Sequence, residues 1–199
     1  IKSSAASDVY KRQEMKHKII ALDALYQKGD YKTLGQLIGD IKQQNDHLAQ
    51  TQFTENFTVN TILQDAAYRA AQSDIRFDVL VSVPPQLTVA ESDLCELLMN
   101  MLDNALEAAA EVTDGKRSVR FQIETKNGFL AVKCENSYSG KRRQDADGNY
   151  LTTKNDAETH GFGLKLMNTV AVRYHSILDI FTSEDRIFTV QTALKLPKK

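Results

Sequence analysis

The sequence contains only two cysteines, Cys95 and Cys134, and four histidines that show no metal-ligand spacing. Cys95 falls within an apolar helical pattern and Cys134 within a strand pattern, so both are predicted to be small buried side chains. This usage argues against a disulfide framework or a zinc site and fits a reducing compartment.

Long apolar runs and an excess of either charge are also missing. No window reaches the roughly 18 uninterrupted apolar residues of a membrane span, and no signal-peptide pattern is present, so we expect no direct membrane contact. The formal net charge is -1 and no strong basic stripe occurs, which argues against a nucleic-acid partner. The chain of 199 residues is long enough for one full domain and a smaller helical piece.

The first part of the chain is predicted to contain a leader and a helical hairpin. Residues 1–13 lack periodicity and resemble a translated adapter, so we expect a non-native or disordered leader there. Residues 14–52 have a helical pattern that is interrupted at Lys28-Gly29-Asp30, which predicts an antiparallel hairpin. Because such a hairpin has too few apolar residues to be stable alone, pairing with a second copy in a four-helix bundle is expected.

Residues 57–197 are predicted to form an α+β domain, a two-layer α/β sandwich with helices on one face of a mixed sheet. A helix that begins near Ser92 or Asp93, either of which is a suitable cap, is expected to end at about Val112. The polar segment 137–159 has no periodicity and is too long for an ordinary connection, so it is interpreted as a functional loop. The other predicted elements are a helix over 57–72, strands over 75–83, 118–125, 129–136, 176–183 and 187–196, and a helix from Gly161 to about 174.

Two asparagines lie one helical turn apart in the apolar helical stretch 97–109. Asn100 and Asn104 share a face with Glu96, whereas the leucines and Met101 cover the faces that a core would take. A buried polar stripe of this kind costs stability unless it binds something. Amide oxygens suit Mg²⁺ that is otherwise held by water and nucleotide phosphates, so the pair is a candidate ligand site.

Gly161 and Gly163 open a later helix and form a second candidate site. Backbone amides and the positive end of a helix dipole favour phosphate oxygens. Either pattern taken alone occurs often for structural reasons. Four features follow one another along the chain: an asparagine helix, a strand that ends at Asn136, a long polar segment and a glycine-opened helix. This order resembles the successive motifs of the GHKL ATP-binding (Bergerat) fold.

The resemblance covers residues 57–197 and is closest to Agr-type, peptide-pheromone quorum-sensing histidine kinases. The segments SDLCELLMNMLDNALEA and TTK followed by HGFGL carry it. It implies that Asn104 is the Mg²⁺ ligand, that Asn100 lies beside the phosphates, and that Lys154 and the amides from Gly161 through Gly163 to Leu164 hold the phosphates of ATP.

Asn136 occupies the position at which most relatives have an aspartate that bonds the adenine. The usual Asp-x-Gly-x-Gly is replaced by Asn136-Ser-Tyr-Ser-Gly140, which implies a modest nucleotide affinity. Strand alternation places Asn136 on one face with Leu130, Val132 and Cys134. The adjacent Glu135 is the alternative partner for adenine.

The resemblance also implies phosphoryl transfer to a histidine. Hydrolytic members of the superfamily carry a glutamate base where Asn100 stands, and an amide cannot accept that proton. His17 is the expected phosphoacceptor. Many relatives place an acidic residue directly after the histidine, whereas here Lys18 follows; Glu14, one helical turn earlier, is the candidate base.

By this resemblance the chain is the cytoplasmic catalytic region of a sensor histidine kinase. It implies a homodimer, a response regulator as phosphoryl acceptor, and membrane anchoring through an upstream sensor. Two alternatives remain open: a non-catalytic GHKL module that acts through dimer contacts, and a serine kinase of the anti-sigma-factor type. The altered segment after Asn136 and the presence of Lys18 favour the first alternative.

Overall fold

The computed structural model describes residues 16–43, 51–140, 143–144, 150–151 and 162–197. The chain divides into two compact units, Ile1–His47 and Leu48–Lys199. None of the described helices is both long enough and apolar enough to cross a membrane.

The first unit contains helix α1 over residues 16–28 and helix α2 over Tyr31–Gln43. The turn lies at the predicted glycine: Gly29 has a φ of 73°, its amide donates to the Tyr26 carbonyl at 3.0 Å, and Asp30 donates to the Leu25 carbonyl at 3.1 Å. Asp30 then caps α2, because its carboxylate accepts from the Thr33 amide at 3.1 Å.

The second unit is built on a mixed five-stranded sheet, which confirms the predicted fold class. Its strand order is β1-β2-β3-β7-β6; β1 and β2 are parallel and the other neighbours are antiparallel. The strands are β1 (Arg76–Ser82), β2 (Ser118–Lys126), β3 (Phe129–Ser137), β6 (Asp179–Thr182) and β7 (Ile187–Lys195). Two further short strands, β4 (Arg143–Gln144) and β5 (Tyr150–Leu151), pair with each other within the polar segment.

Three helices, α3 (Phe57–Gln72), α4 (Glu91–Ala110) and α5 (Phe162–Arg173), belong to this unit. Helix α4 packs against β2 and β3 and against both other helices. Alternate strand residues such as Phe121 and Val132 are buried beneath the helices, and Leu94, Leu97, Leu98, Met101 and Leu102 of α4 are 0–1% exposed. The alternate residues of the strands and the apolar face of the helix therefore pack into one core.

The turn between β2 and β3 consists of two residues. Asn127 and Gly128 both have positive φ, 51° and 79°, as a tight two-residue hairpin turn requires.

The predicted cap of α4 is wrong. The helix begins at Glu91 with Ala90 at the N-cap position, which makes no side-chain cap bond, and it ends at Ala110 rather than Val112. Ser92 and Asp93 lie inside the first turn. The carboxylate of Asp93 instead contacts donors from the end of α5, so a tertiary contact has replaced the local cap.

Candidate functional site

The asparagine pair lies on the predicted face of α4, but it is less buried than predicted. Asn100 and Asn104 are both half-buried, whereas their leucine neighbours are fully buried. The Asn100 Nδ2 donates to the Glu96 carbonyl at 2.6 Å, which orients its Oδ1 away from its own helix. The pair stays accessible because the residue that approaches it, Gly163, has no side chain to cover it.

Gly163 brings the start of α5 against the two asparagines. A Cβ placed on Gly163 would lie 3.2 Å from Asn100 Oδ1, which is closer than side chains normally approach, and 3.4 Å from Asn104 Nδ2, which is van der Waals contact. The residues are about sixty positions apart in the chain, yet the fold joins them. We call the surface formed by Asn100, Asn104 and Gly163 the amide cradle.

The amide cradle has the chemistry of a site for a phosphate-bearing ligand with a hard cation. It offers neutral amide oxygens from α4 beside the N-terminal turn of α5, whose backbone amides favour phosphate oxygens. Within the described residues, no cluster of three or more His, Cys, Asp or Glu side chains could hold a metal by itself. These residues fit Mg²⁺ that is held jointly by an amide and by nucleotide phosphates.

Asn136 lies near the end of β3 and is 3% exposed. Its Nδ2 donates to the Ser137 carbonyl at 2.9 Å. As predicted, it shares the buried face of β3 with Leu130, Val132 and Cys134. Glu135, the alternative for adenine, lies on the opposite face of the sheet and pairs with Lys133 at 2.8 Å, so the helix layer does not cover it.

Of the remaining predicted site residues, His17 and Leu164 belong to the described part of the chain. His17 is exposed on α1, in the first unit, and Lys18 follows it half-buried. Leu164 is half-buried and packs against the core of the second unit. Glu14, Lys154 and Gly161 lie outside the described residues.

Sequence reasoning missed a cluster at the opposite end of α5. Asp93 is 4% exposed; its Oδ2 accepts from the Tyr174 hydroxyl at 2.8 Å and its Oδ1 accepts from the Arg173 guanidinium. The Tyr174 oxygen accepts from the Ala90 amide at 2.9 Å. Burial raises the pKa of Tyr174, and the bond to the Asp93 carboxylate adds to that shift. An aspartate within the apolar start of α4 was the only local indication.

A second missed contact braces the end of β3. The Tyr138 amide donates to the Arg186 carbonyl at 3.1 Å, and the Arg186 guanidinium pairs with Asp114 at 2.9 Å. A Cβ on Gly140 would lie 3.5 Å from Arg186 Nε, so this arginine lies beside the point where the polar segment departs. Asp114 and Arg186 are distant in sequence and belong to different turns, which is why no motif indicated them.

A family profile described as a GHKL domain matches residues 89–195, which is more than half of the chain. The matched range begins just before α4 and ends with β7. It therefore contains the amide cradle and Asn136. No curated protein sequence matches the chain.

Solved structures share the fold. The catalytic domain of the histidine kinase ThkA is 16% identical, with a TM-score of 0.53 over 74% of this chain and 98% of that chain. A histidine kinase from Burkholderia phymatum is 14% identical, with a TM-score of 0.53 over 98% of this chain and 96% of that one. The mycobacterial sensor histidine kinase MprB is 16% identical, with a TM-score of 0.50 over 71% and 95% of the two chains.

Proposed function

The chain belongs to the GHKL domain family, and from that premise we propose that it binds Mg-ATP and transfers the γ-phosphoryl group to His17. The observation that supports this most is the amide cradle, where Gly163 abuts Asn100 and Asn104. The matching fold of histidine kinase catalytic domains is consistent with the proposal.

In this proposal each residue of the site has a separate task. Asn104 would supply an oxygen to Mg²⁺, Asn100 would lie beside the phosphates, and the amides from Gly161 through Gly163 to Leu164 would bind phosphate oxygens, with Lys154 adding a cation. Asn136, which is buried on β3, would be the partner of the adenine. Mg-ATP, when bound, supplies the phosphoryl group and a cation that neutralises its charge.

The amide at position 100 favours transfer over hydrolysis. The Asn100 side chain donates to the Glu96 carbonyl and has no basic atom with which to take a proton from water. A nucleophile delivered from elsewhere is therefore the better acceptor. His17 is suited to this task because its imidazole is exposed on α1 and carries a nucleophilic ring nitrogen.

Proton removal from His17 is the least conventional part of the proposed reaction. Lys18 directly follows the histidine and cannot act as a base while it is charged. Glu14 precedes His17 by three residues in the sequence, the spacing at which side chains of one helix meet. We propose Glu14 as the base, and Glu14→Gln is expected to slow autophosphorylation.

The proposed partners follow from the same activity. The α1–α2 unit would pair with a second copy to form a homodimer, and a response regulator would take the phosphoryl group from His17. The protein would act in the cytoplasm, tethered through an upstream membrane sensor, as in Agr-type quorum-sensing kinases.

A non-catalytic binding module is the second candidate. Two observations favour it: the Asn136 amide is already bonded to the Ser137 carbonyl, and Lys18 stands beside His17. Such a module would bind nucleotide weakly and act through dimer contacts.

Incubation of the full chain with γ-labelled ATP and Mg²⁺ separates the two candidates. We expect an acid-labile label in the wild type that is lost in His17→Gln and in Asn104→Ala. His175→Asn is the matched control, because His175 is exposed and its φ of 54° is tolerated by asparagine.

Three outcomes would change the assignment. Label that persists in His17→Gln would exclude His17 as the acceptor. Acid-stable label would indicate a hydroxyl acceptor and a serine kinase. Nucleotide binding without any label, alongside retained dimerisation, would favour the binding module.

A further inference from the structure

We propose that Asp93, Arg173 and Tyr174 form an inter-helix clamp that sets the position of α5 along α4 and thereby holds Gly163 at the asparagines. In this proposal the three are positioning residues for the amide cradle. Its consequence for nucleotide binding rests on the proposed function, whereas its consequence for the asparagine side chains does not.

The clamp joins the first turn of α4 to the C-terminal end of α5 through specific bonds. Both oxygens of Asp93 are used, one by the Tyr174 hydroxyl at 2.8 Å and the other by the Arg173 guanidinium. The same Tyr174 oxygen accepts from the amide of Ala90, the N-cap residue of α4, at 2.9 Å, so it also bonds the backbone at the start of that helix. Because hydrogen bonds depend on direction as well as distance, these contacts fix a relative position that apolar packing alone would leave variable.

The clamp and the amide cradle lie at opposite ends of one rigid helix. Residues 163 and 173 are about 15 Å apart along α5 at 1.5 Å per residue. On α4, the step from residue 93 to residues 100 and 104 is about 10 to 16 Å. The two spacings match, with the end of α5 at the start of α4. A shift of α5 at the clamp is therefore carried directly to Gly163.

The burial of Asp93 supports a positioning role. A carboxylate that is 4% exposed carries a desolvation cost, and an apolar residue at this point of the core would avoid it. The charged cluster instead defines the position of α5 along α4. Burial also raises the pKa of Tyr174, so its hydroxyl keeps its proton and remains a donor to Asp93 across the physiological range.

The test uses the full chain with selectively ¹⁵N-labelled asparagine and compares the wild type with Asp93→Asn and Tyr174→Phe. We expect the side-chain amide resonances of Asn100 and Asn104 to shift in both variants, at a temperature well below their unfolding midpoints. Asp78→Asn is the matched control, because it makes the same chemical change in a surface ion pair with Arg76 within β1. Its asparagine resonances at α4 should stay in place.

Calorimetric titration with MgADP measures the consequence for binding. We expect the dissociation constant to rise about tenfold in Asp93→Asn and Tyr174→Phe and to stay unchanged in Asp78→Asn. Arg173→Lys, which keeps the charge, should have a smaller effect than Arg173→Ala. If Asp93→Asn does not fold, Tyr174→Phe removes a single hydroxyl and gives both measurements.

The outcomes separate failure of the clamp from failure of the proposed function. Folded variants with unmoved Asn100 and Asn104 resonances would overturn the clamp, whatever their stability. Moved resonances in a protein that binds no MgADP, even as wild type, would support the clamp and contradict the nucleotide site. Moved resonances with an unchanged MgADP affinity would overturn the link between the clamp and binding.

Discussion

Gly163 shows how a missing side chain can define a site. The start of α5 approaches α4 so closely that even a methyl group would lie 3.2 Å from Asn100 Oδ1. The contact leaves the asparagine amides open to one side, which is why they are half-buried and not enclosed. Residue type at position 163 is therefore expected to affect ligand binding more than stability.

Gly163→Ala is predicted to weaken MgADP binding about fivefold, which is a loss on the order of 1 kcal/mol in binding free energy. The added methyl group would overpack the contact and displace the asparagine amides. Gly115→Ala is the control, since its Cβ would make an ordinary 3.6 Å contact with Val112. Calorimetric titration measures both. An unchanged affinity in Gly163→Ala would mean that the amide cradle is not part of the nucleotide site.

The titration of Cys134 should be visible in the pH dependence of the free energy of unfolding. The side chain is 2% exposed, and burial, together with the charge of Glu135, raises the pKa of its thiol. The pKa of the thiol is higher in the folded protein than in the unfolded chain, so at low pH, where both forms are protonated, Cys134 does not lower the free energy of unfolding. As the pH rises above the unfolded pKa, only the unfolded chain releases the proton, and the free energy of unfolding falls.

The free energy of unfolding of the wild type should therefore fall by on the order of 1 kcal/mol between pH 8 and pH 10. Cys134→Ala should remove that part of the fall, whereas Cys95→Ala, which deletes a half-exposed thiol, should keep it. Urea denaturation followed by circular dichroism gives the comparison. Equal slopes in both cysteine variants would contradict the assignment to Cys134.

At the scale of elements, α4 has one face that builds the core and one that builds the site. The leucines that were predicted to face the core are buried, and the polar positions between them carry the asparagines. Neighbouring residues of this helix should therefore differ sharply in their effect on stability.

Leu98→Ala is predicted to lower the free energy of unfolding by about 2–5 kcal/mol, because it leaves a cavity in a fully packed region. Met99→Ala, at a position that is 50% exposed, should cost less than about 1 kcal/mol. Denaturation midpoints in urea measure the pair. Similar losses for the two variants would show that α4 does not present this face to the core.

Elements whose ends are specified by local chemistry were predicted well. Helix α3 spans Phe57–Gln72 as its pattern indicated, and Asn56 caps it by accepting from the Val59 amide. The turn at Asn127 and Gly128 needs only residues that tolerate positive φ. The start of α4 was mispredicted, since Asp93 has a stronger partner in Tyr174 than in its own helix.

At the scale of the whole molecule, the described helices α1 and α2 of the first unit carry exposed apolar side chains. Ile19 and Ile20 are 57% and 55% exposed, and Tyr26 and Tyr31 are 60% and 65% exposed. A surface of this kind is typical of a protein-protein contact, and it agrees with the proposed pairing of two copies.

Light scattering should give a mass near twice 22.3 kDa for the chain in solution. Ile20→Glu is predicted to raise the dimer dissociation constant at least about tenfold, because it places a charge in an apolar contact. Gln27→Glu, which adds the same charge at an exposed polar position of α1, is the control. A monomeric wild type would contradict the proposed dimer.

The sequence by itself determined the α+β sandwich and the order of its elements, because periodicity and turn residues act over a few neighbouring residues. The pairing of the asparagine helix with the glycine-opened helix was implied by a motif order that resembles the GHKL fold. Only the tertiary structure decided how open the asparagines are, and that Asp93 bonds Arg173 and Tyr174 at the end of α5 instead of capping α4. The openness of the asparagines depends on the absence of a Cβ at Gly163, and the position of Asp93 depends on the hydroxyl of Tyr174. Both partners lie in a distant segment of the chain, about which local propensity contains no information.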